Sequence, residues 1–231
     1  AAGGDAGVTV DLAAGTATDG FGAQDQLTNI ENITGTDQTD QLTGSDAANV
    51  IQGNAGDDVI VGLAGADTID GGTGTDEIDY SRDSAAGGDA GVTVDLAAGT
   101  ASDGFGAQDQ LTNIENIIGT DQTDQLAGSD AANVIQGNAG DDVIAGLGGA
   151  DTIDGGFGDD ILDGGEGNDS ILGGGGKDTV SGGSGIDSLD GGLGDDTLDG
   201  GAGDDALLGN DGDDRLIAGA GADTIDGGAG I

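Results

Sequence analysis

The 231-residue chain contains no proline, cysteine, methionine, tryptophan or histidine, and its only aromatics are Phe21, Phe105, Phe157 and Tyr80. Each absence excludes something. Without cysteine there are no disulfide staples. Without histidine or cysteine, zinc and most transition-metal sites are ruled out, which leaves hard cations that accept oxygen ligands. Four aromatics are too few for a core of the usual aromatic and leucine type. Positive charge is nearly missing: Arg82, Lys177 and Arg215 stand against 46 acids, a formal net charge of −43. So acidic a surface repels nucleic acid and anionic lipid, and neither is expected as a partner. No apolar run approaches the roughly 18 residues of a membrane span, so no membrane insertion is expected.

What is abundant suggests disorder at first. The chain holds 54 glycines, and low hydrophobicity with high net charge is the signature of an unfolded segment. Periodicity overturns that reading. Residues 1–72 match 85–156 with five substitutions, an 84-residue tandem duplication. A nine-residue period runs inside it. Residues 35–79 hold five nonapeptides and residues 119–226 hold twelve, without a gap. In the representative unit GGFGDDILD (155–163) the sixth position is acidic and the eighth aliphatic. The sixth is Asp in fifteen units and Asn in two, Asn49 and Asn133. The eighth runs from Leu42 to Ile78 and from Leu126 to Ile225 at every ninth residue. Outside this register lie residues 1–34 and their duplicate 80–118. There GVTVDL (7–12, 91–96) alternates as a half-buried strand does, and LTNIENI (27–33, 111–117) spaces its apolar residues by three. The chain thus divides into a lead-in (1–34), a five-unit block (35–79), a second lead-in (80–118) and a twelve-unit block with a truncated unit (119–231).

Positions seven to nine make a very short strand around one aliphatic. Positions one to six, GGxGxD, make a turn in which glycine permits positive φ and lets carbonyl oxygens point inward. One unit cannot bury its aliphatic, but stacked units can, which gives an all-β coil of parallel strands with a thin interior. One aliphatic per nine residues is too little burial to order so much glycine against charge repulsion. A further stabiliser is required, and acids at fixed spacing in oxygen-rich loops point to a divalent cation. Ca²⁺ fits best: it takes six to eight carboxylate and carbonyl oxygens in tolerant geometry, whereas Mg²⁺ demands a tight octahedron.

These units resemble the nonapeptides of the RTX (repeats-in-toxin) family, G-G-x-G-x-D-x-aliphatic-x, over the two blocks; the lead-ins resemble segments that precede such blocks. The resemblance implies a right-handed parallel β-roll, a β-solenoid with two nonapeptides per turn. It also implies several Ca²⁺ ions, each held between loops 18 residues apart by sixth-position aspartates and loop carbonyls. Carried onto this sequence, Asp142, Asp160, Asp178, Asp196 and Asp214 form one ladder, and Asp151, Asp169, Asp187, Asp205 and Asp223 the other. In the short block Asp58 and Asp76 share an ion, while Asp67 faces the weaker partner Asn49. The opening units of each block are expected to bind weakly or not at all, as caps would, because Asn49 and Asn133 are uncharged and their units lack the fourth-position glycine. Ala218 also departs from the pattern, at the first position of its unit. The fifth- and ninth-position acids are expected to be solvated, and Phe21 and Phe105 to pack.

Other readings of the motifs fail. GGxGxD has no following helix and no lysine placed for a phosphate loop. NDGDD (210–214) lacks the closing glutamate of an EF-hand. No histidine, cysteine or nucleophile–base pair suggests an enzyme. The expected function is a calcium-binding module that folds outside the cell and aids secretion of a larger bacterial protein by type I export, as the resemblance implies. The chain reads as a piece of that protein, so its partners are calcium and the remainder of the parent. One alternative is a structural or adhesive spacer of a surface adhesin or surface layer, with self-association or cell-surface contact. Another is a non-catalytic module attached to a secreted enzyme.

Overall fold

The computed structural model describes residues 6–230; residues 1–5 and 231, at the tips of the first lead-in and the truncated unit, lie outside the described residues. The nine-residue period determines the chain's course. Strands Val143–Gly148, Thr152–Phe157, Ile161–Glu166, Ser170–Gly175, Thr179–Ser184, Ser188–Leu193, Thr197–Ala202 and Ala206–Asp211 begin at a seventh position and run to the third position of the next unit. Consecutive strands belong to opposite sheets, and each pairs in parallel with the strand 18 residues away. Ile144 lies beside Leu162, Leu162 beside Val180 and Val180 beside Leu198 in one sheet. Ile153, Ile171, Leu189 and Leu207 line up in the other. The result is a parallel β-solenoid of about 11 turns.

These strands are six residues long rather than the three centred on the aliphatic. The first-position glycine points inward beside the eighth-position aliphatic, so the ladder continues past it, as Gly156 opposite Gly174 shows. The bend is made without leaving the sheet. Gly156 at position two has φ 100° and Gly158 at position four has φ 133°, conformations that cost a side chain dearly. The turn therefore shrinks to positions four to six.

The lead-ins, whose pairing the sequence leaves open, are threaded into the sheets. In the second, Thr93–Asp95, Thr100–Ser102 and Gln108–Thr112 form an antiparallel meander. One side of the meander pairs in parallel with Gln125–Ser129 of the long block and the other with Thr68–Thr73 of the short block. In the opposite sheet Asn116–Ile118 bridges Glu77–Asp79 to Val134–Gln136. Both sheets, of 13 and 12 strands, therefore pass continuously from one block to the next. The first lead-in makes the same meander, Thr9–Asp11, Thr16–Thr18 and Gln24–Gln26, of which only Thr9–Asp11 pairs with a block, at Gln41–Thr43, while Asn32–Thr34 joins the other sheet beside Val50–Ala55.

The core is a single file of aliphatics between the sheets. The eighth-position residues from Leu42 to Ile78 and from Leu126 to Leu207 are all at most 2 % exposed. Tyr80, Val92, Val94, Leu111 and Ile117 join them at the junction. The file ends before the sequence pattern does: Leu216 is partly buried and Ile225 is 49 % exposed, and among the described residues no further coil covers them. Phe21 and Phe105, expected to pack, sit at turn tips and are 71 % and 37 % exposed.

Truncating one buried rung should therefore cost far more than truncating the last. Ile153→Ala is expected to lose about 2–5 kcal/mol in chemical unfolding with calcium present, and Ile225→Ala less than about 1.

Candidate metal centres

The sixth-position aspartates stand where the turn rejoins the strand, and stacking of the coils fixes their surroundings. Each carboxylate accepts, through Oδ1, the backbone N–H of the sixth residue one coil earlier. Asp160 accepts from Asp142 at 2.8 Å, Asp178 from Asp160 at 2.9 Å, Asp196 from Asp178 at 2.9 Å and Asp214 from Asp196 at 3.0 Å. The opposite ladder runs in the same way through Asp151, Asp169, Asp187, Asp205 and Asp223. In the short block Asp76 accepts from Asp58, and Asp67 from Asn49.

The second carboxylate oxygen has no such partner. Oδ2 of Asp58, Asp67, Asp76, Asp142, Asp151, Asp160, Asp169, Asp178, Asp187, Asp196, Asp205 and Asp214 is shut off from solvent and accepts no hydrogen bond. A buried acceptor without a donor is costly, and a charged one more so. Its neighbourhood makes matters worse. A Cβ built on Gly155 would collide with Asp160 Oδ2 and with the carbonyl oxygen of Gly173, and the same pair of acceptors crowds the first-position glycine in neighbouring units. No cluster of three or more metal-type side chains exists among the described residues. Each regular loop brings one buried carboxylate, with a backbone carbonyl oxygen of the next coil close by. An oxygen-only slot of this kind, with one uncompensated charge per loop, fits a hard cation such as Ca²⁺.

Electrostatics agree. Burial pushes Asp142 and Asp178 up to about 7 and Asp67, Asp76 and Asp151 up to about 6. The backbone N–H opposes this shift without cancelling it, and neighbouring carboxylates add to it, as Asp160 and Asp196 do at Asp178. Burial likewise raises Asp58, Asp160, Asp169, Asp187 and Asp196.

Of the thirteen aspartates singled out by sequence, Asp223 alone lacks this pattern. It accepts the Asp205 N–H at 3.0 Å, but it lies half-buried on the last turn, and Ala218 stands at its unit's first position. The four sixth-position residues left out of that set satisfy themselves. Asp40 accepts from the Val8 and Thr36 N–H groups and the Thr36 hydroxyl, and Asp124 from the corresponding groups of Val92 and Thr120. The Asn49 amide accepts from Ser45 N–H and donates to the Glu31 carbonyl; Asn133 does the same with Ser129 and Glu115. An amide supplies both a donor and an acceptor, so Asn49 and Asn133 are paired within the protein on both sides.

Two ladder members escape a search at nine-residue spacing. Asp109 Oδ1 accepts the Asp67 N–H at 2.9 Å, and Glu115 Oε2 accepts the Asp76 N–H at 2.8 Å. Both lie in the second lead-in, at separations of 42 and 39 residues, and neither separation is a multiple of nine. The fifth-position acids are exposed, yet they are not merely solvated. Asp57, Asp141, Asp159, Asp195 and Asp204 each accept the backbone N–H of the fifth residue one coil later.

A family model, the RTX calcium-binding nonapeptide repeat, matches in overlapping windows of four copies: 34–68 and 43–78 in the short block, and from 118–153 through 200–231 in the long one. No curated protein matches the chain. Among the described residues no helix is long and apolar enough to cross a membrane.

Two outcomes are expected. Gly155→Ala places a methyl group against Asp160 Oδ2 and should remove one bound ion by native mass spectrometry, with calcium-loaded stability lowered. The pH dependence follows from the raised carboxyls. An acid whose folded value lies above its unfolded value stabilises the fold below the unfolded value, near 4. That contribution is lost as pH rises through the folded values, about 6 to 7 here. The chelated chain should thus gain strand signal in circular dichroism as pH falls from about 7.5 to about 5. Calcium binding should weaken over the same interval, because the cation needs the deprotonated form.

Proposed function

The chain belongs to the RTX calcium-binding nonapeptide repeat family, and on that premise we propose that it is a calcium-dependent folding module of a secreted bacterial protein. Repeats of this family are structural, generally non-catalytic modules typical of secreted bacterial proteins. The observation that carries the reading is the row of buried Oδ2 atoms without donors, one per loop, in twelve loops. In this reading the carboxylates from Asp58 to Asp76 and from Asp142 to Asp214 hold Ca²⁺ with the surrounding loop carbonyls. Asp223, only half-buried, binds more weakly, and the loops of Asp40, Asn49, Asp124 and Asn133 serve as caps. The division into lead-in, five-unit block, lead-in and twelve-unit block then separates caps and joints from the binding arrays.

Bound calcium supplies the positive charge that the carboxylates lack. Without it, repulsion among buried and surface acids opposes the fold, and the ordering entropy of glycine-rich loops opposes it further. Extracellular calcium modules bind at about 10⁻⁴–10⁻³ M, well above free cytosolic calcium. The chain therefore remains extended inside the cell, in a state suited to type I export, and folds outside, where it stabilises its parent protein. Continuity of both sheets through the second lead-in favours one further role. Duplicating the 84-residue unit lengthens one rod, as a spacer in a surface adhesin requires.

Calcium titration followed by far-ultraviolet circular dichroism tests the reading. The chelated chain at neutral pH should show a coil spectrum and gain β signal cooperatively near millimolar calcium. Asp178→Asn should raise the midpoint, whereas Asn133→Ala should leave the calcium dependence nearly unchanged. A full β spectrum in chelator would contradict the proposal.

A further inference from the structure

The junction between the blocks holds a second group of buried acids, outside the nonapeptide loops. Asp83, in the short helix Asp83–Ala86, is fully buried, and Asp103, in the turn between the second and third strands of the meander, is 1 % exposed. Each carboxylate has one oxygen tied to backbone. Asp83 Oδ2 accepts the Gly104 N–H at 3.0 Å, which sets it one residue from Asp103 along the chain it touches. Asp103 Oδ1 accepts the Phe105 and Ala107 N–H groups at 3.0 and 2.6 Å. The other oxygen of each, Asp83 Oδ1 and Asp103 Oδ2, is shut off from solvent and accepts nothing, and Ser84 Oγ is equally sequestered without a partner.

No side-chain cation compensates them. Arg82, the basic residue next in sequence, turns away, with its guanidinium 2.9 Å from Thr43 Oγ1 and 3.5 Å from Asp11 Oδ2. The two charges act on each other and on their surroundings. Burial, then the charge of Asp103, raises Asp83 to about 6 against the Gly104 N–H, and both charges reach the repeat carboxylate Asp67. Tyr80, buried beside them, donates its hydroxyl to Asp109 Oδ2 at 3.1 Å.

The duplication provides an internal control. Asp19 occupies the same turn in the first lead-in and accepts the same two N–H groups, from Phe21 and Ala23, yet it is only half-buried. The turn itself does not create the pocket; burial comes with the Tyr80–Ala86 stretch and the flanking block. We propose that Asp83 and Asp103 form a junction site for a hard divalent cation, calcium, bound through Asp83 Oδ1 and Asp103 Oδ2, that fastens the five-unit block to the twelve-unit block. The site shares calcium chemistry with the repeats, but none of its ligands belongs to a nonapeptide loop.

Ion counting by native mass spectrometry on the full chain in calcium, wild type against the isosteric double variant Asp83→Asn/Asp103→Asn, tests it. The expected count is one ion lower in the variant; an unchanged count overturns the site. Melting temperature gives an opposite-signed check. Uncompensated buried carboxylates predict a variant that melts higher than wild type in calcium, whereas ion-binding carboxylates predict one that melts lower. Should the variant fail to fold, terbium on the wild-type chain decides. Tyr80 is the chain's one tyrosine and there is no tryptophan, so terbium bound at the junction should emit when tyrosine is excited. That emission should persist in Asp67→Asn, which removes the neighbouring repeat ligand, and fall several-fold in Asp103→Asn; emission unchanged by Asp103→Asn, or absent from the folded wild type, overturns the proposal. Failure of the repeat reading is separate and would appear as an ion count unchanged by Asp178→Asn.

Discussion

A half-satisfied carboxylate is the constraint on which the rest of the structure depends. In each regular loop, one oxygen of the sixth-position aspartate is committed to the N–H of the neighbouring coil, as in Asp178 to Asp160, and the other is buried without a donor. The first bond sets the spacing of the coils. The second oxygen makes that spacing conditional, because a stack of buried charges a few ångströms from carbonyl oxygens is unfavourable unless something positive enters. The same atoms thus specify the fold and withhold it.

Glycine at positions one, two and four serves this arrangement. At position one a side chain would occupy the slot facing Oδ2; at positions two and four the chain needs a positive φ to turn while its neighbours remain in the ladder. The cost is a core only one aliphatic wide, from Leu42 to Leu207, and a chain that gives up much entropy on folding. In the proposed reading such a chain lies close to the boundary between coil and solenoid, where ligand concentration decides the state. In the proposed role, a chain exported unfolded that folds outside, that position on the boundary is useful.

Much of this was legible in the residues. The nine-residue register gave the eighth-position file and the sixth-position ladders, and pairing at 18 residues followed from the family resemblance. The exclusion of Asn49 and Asn133 was also readable, since an amide carries its own donor. Other features were hidden for physical reasons. The strands extend through Gly156 and Phe157 because an inward glycine can pair in a sheet as a short side chain does, and strand propensity gives no hint of that. Asp109 and Glu115 continue the ladders from positions outside the register, so only the threading of the meander between Thr68–Thr73 and Gln125–Ser129 reveals them. Asp19 and Asp103 both open the stretch DGFGAQDQLTNIENI yet differ in burial, a difference that arises from what stacks around them.

If the free Oδ2 atoms are held for cations, the ions must lie beside them in the folded chain. Anomalous scattering from crystals grown in calcium, or with a lanthanide in its place, locates those ions atom by atom. Peaks are predicted beside Oδ2 along the ladders Asp142 to Asp214 and Asp151 to Asp205, and none in the loops of Asp40, Asn49, Asp124 and Asn133. A folded, calcium-saturated chain with no peak beside these oxygens would contradict the cation-held fold.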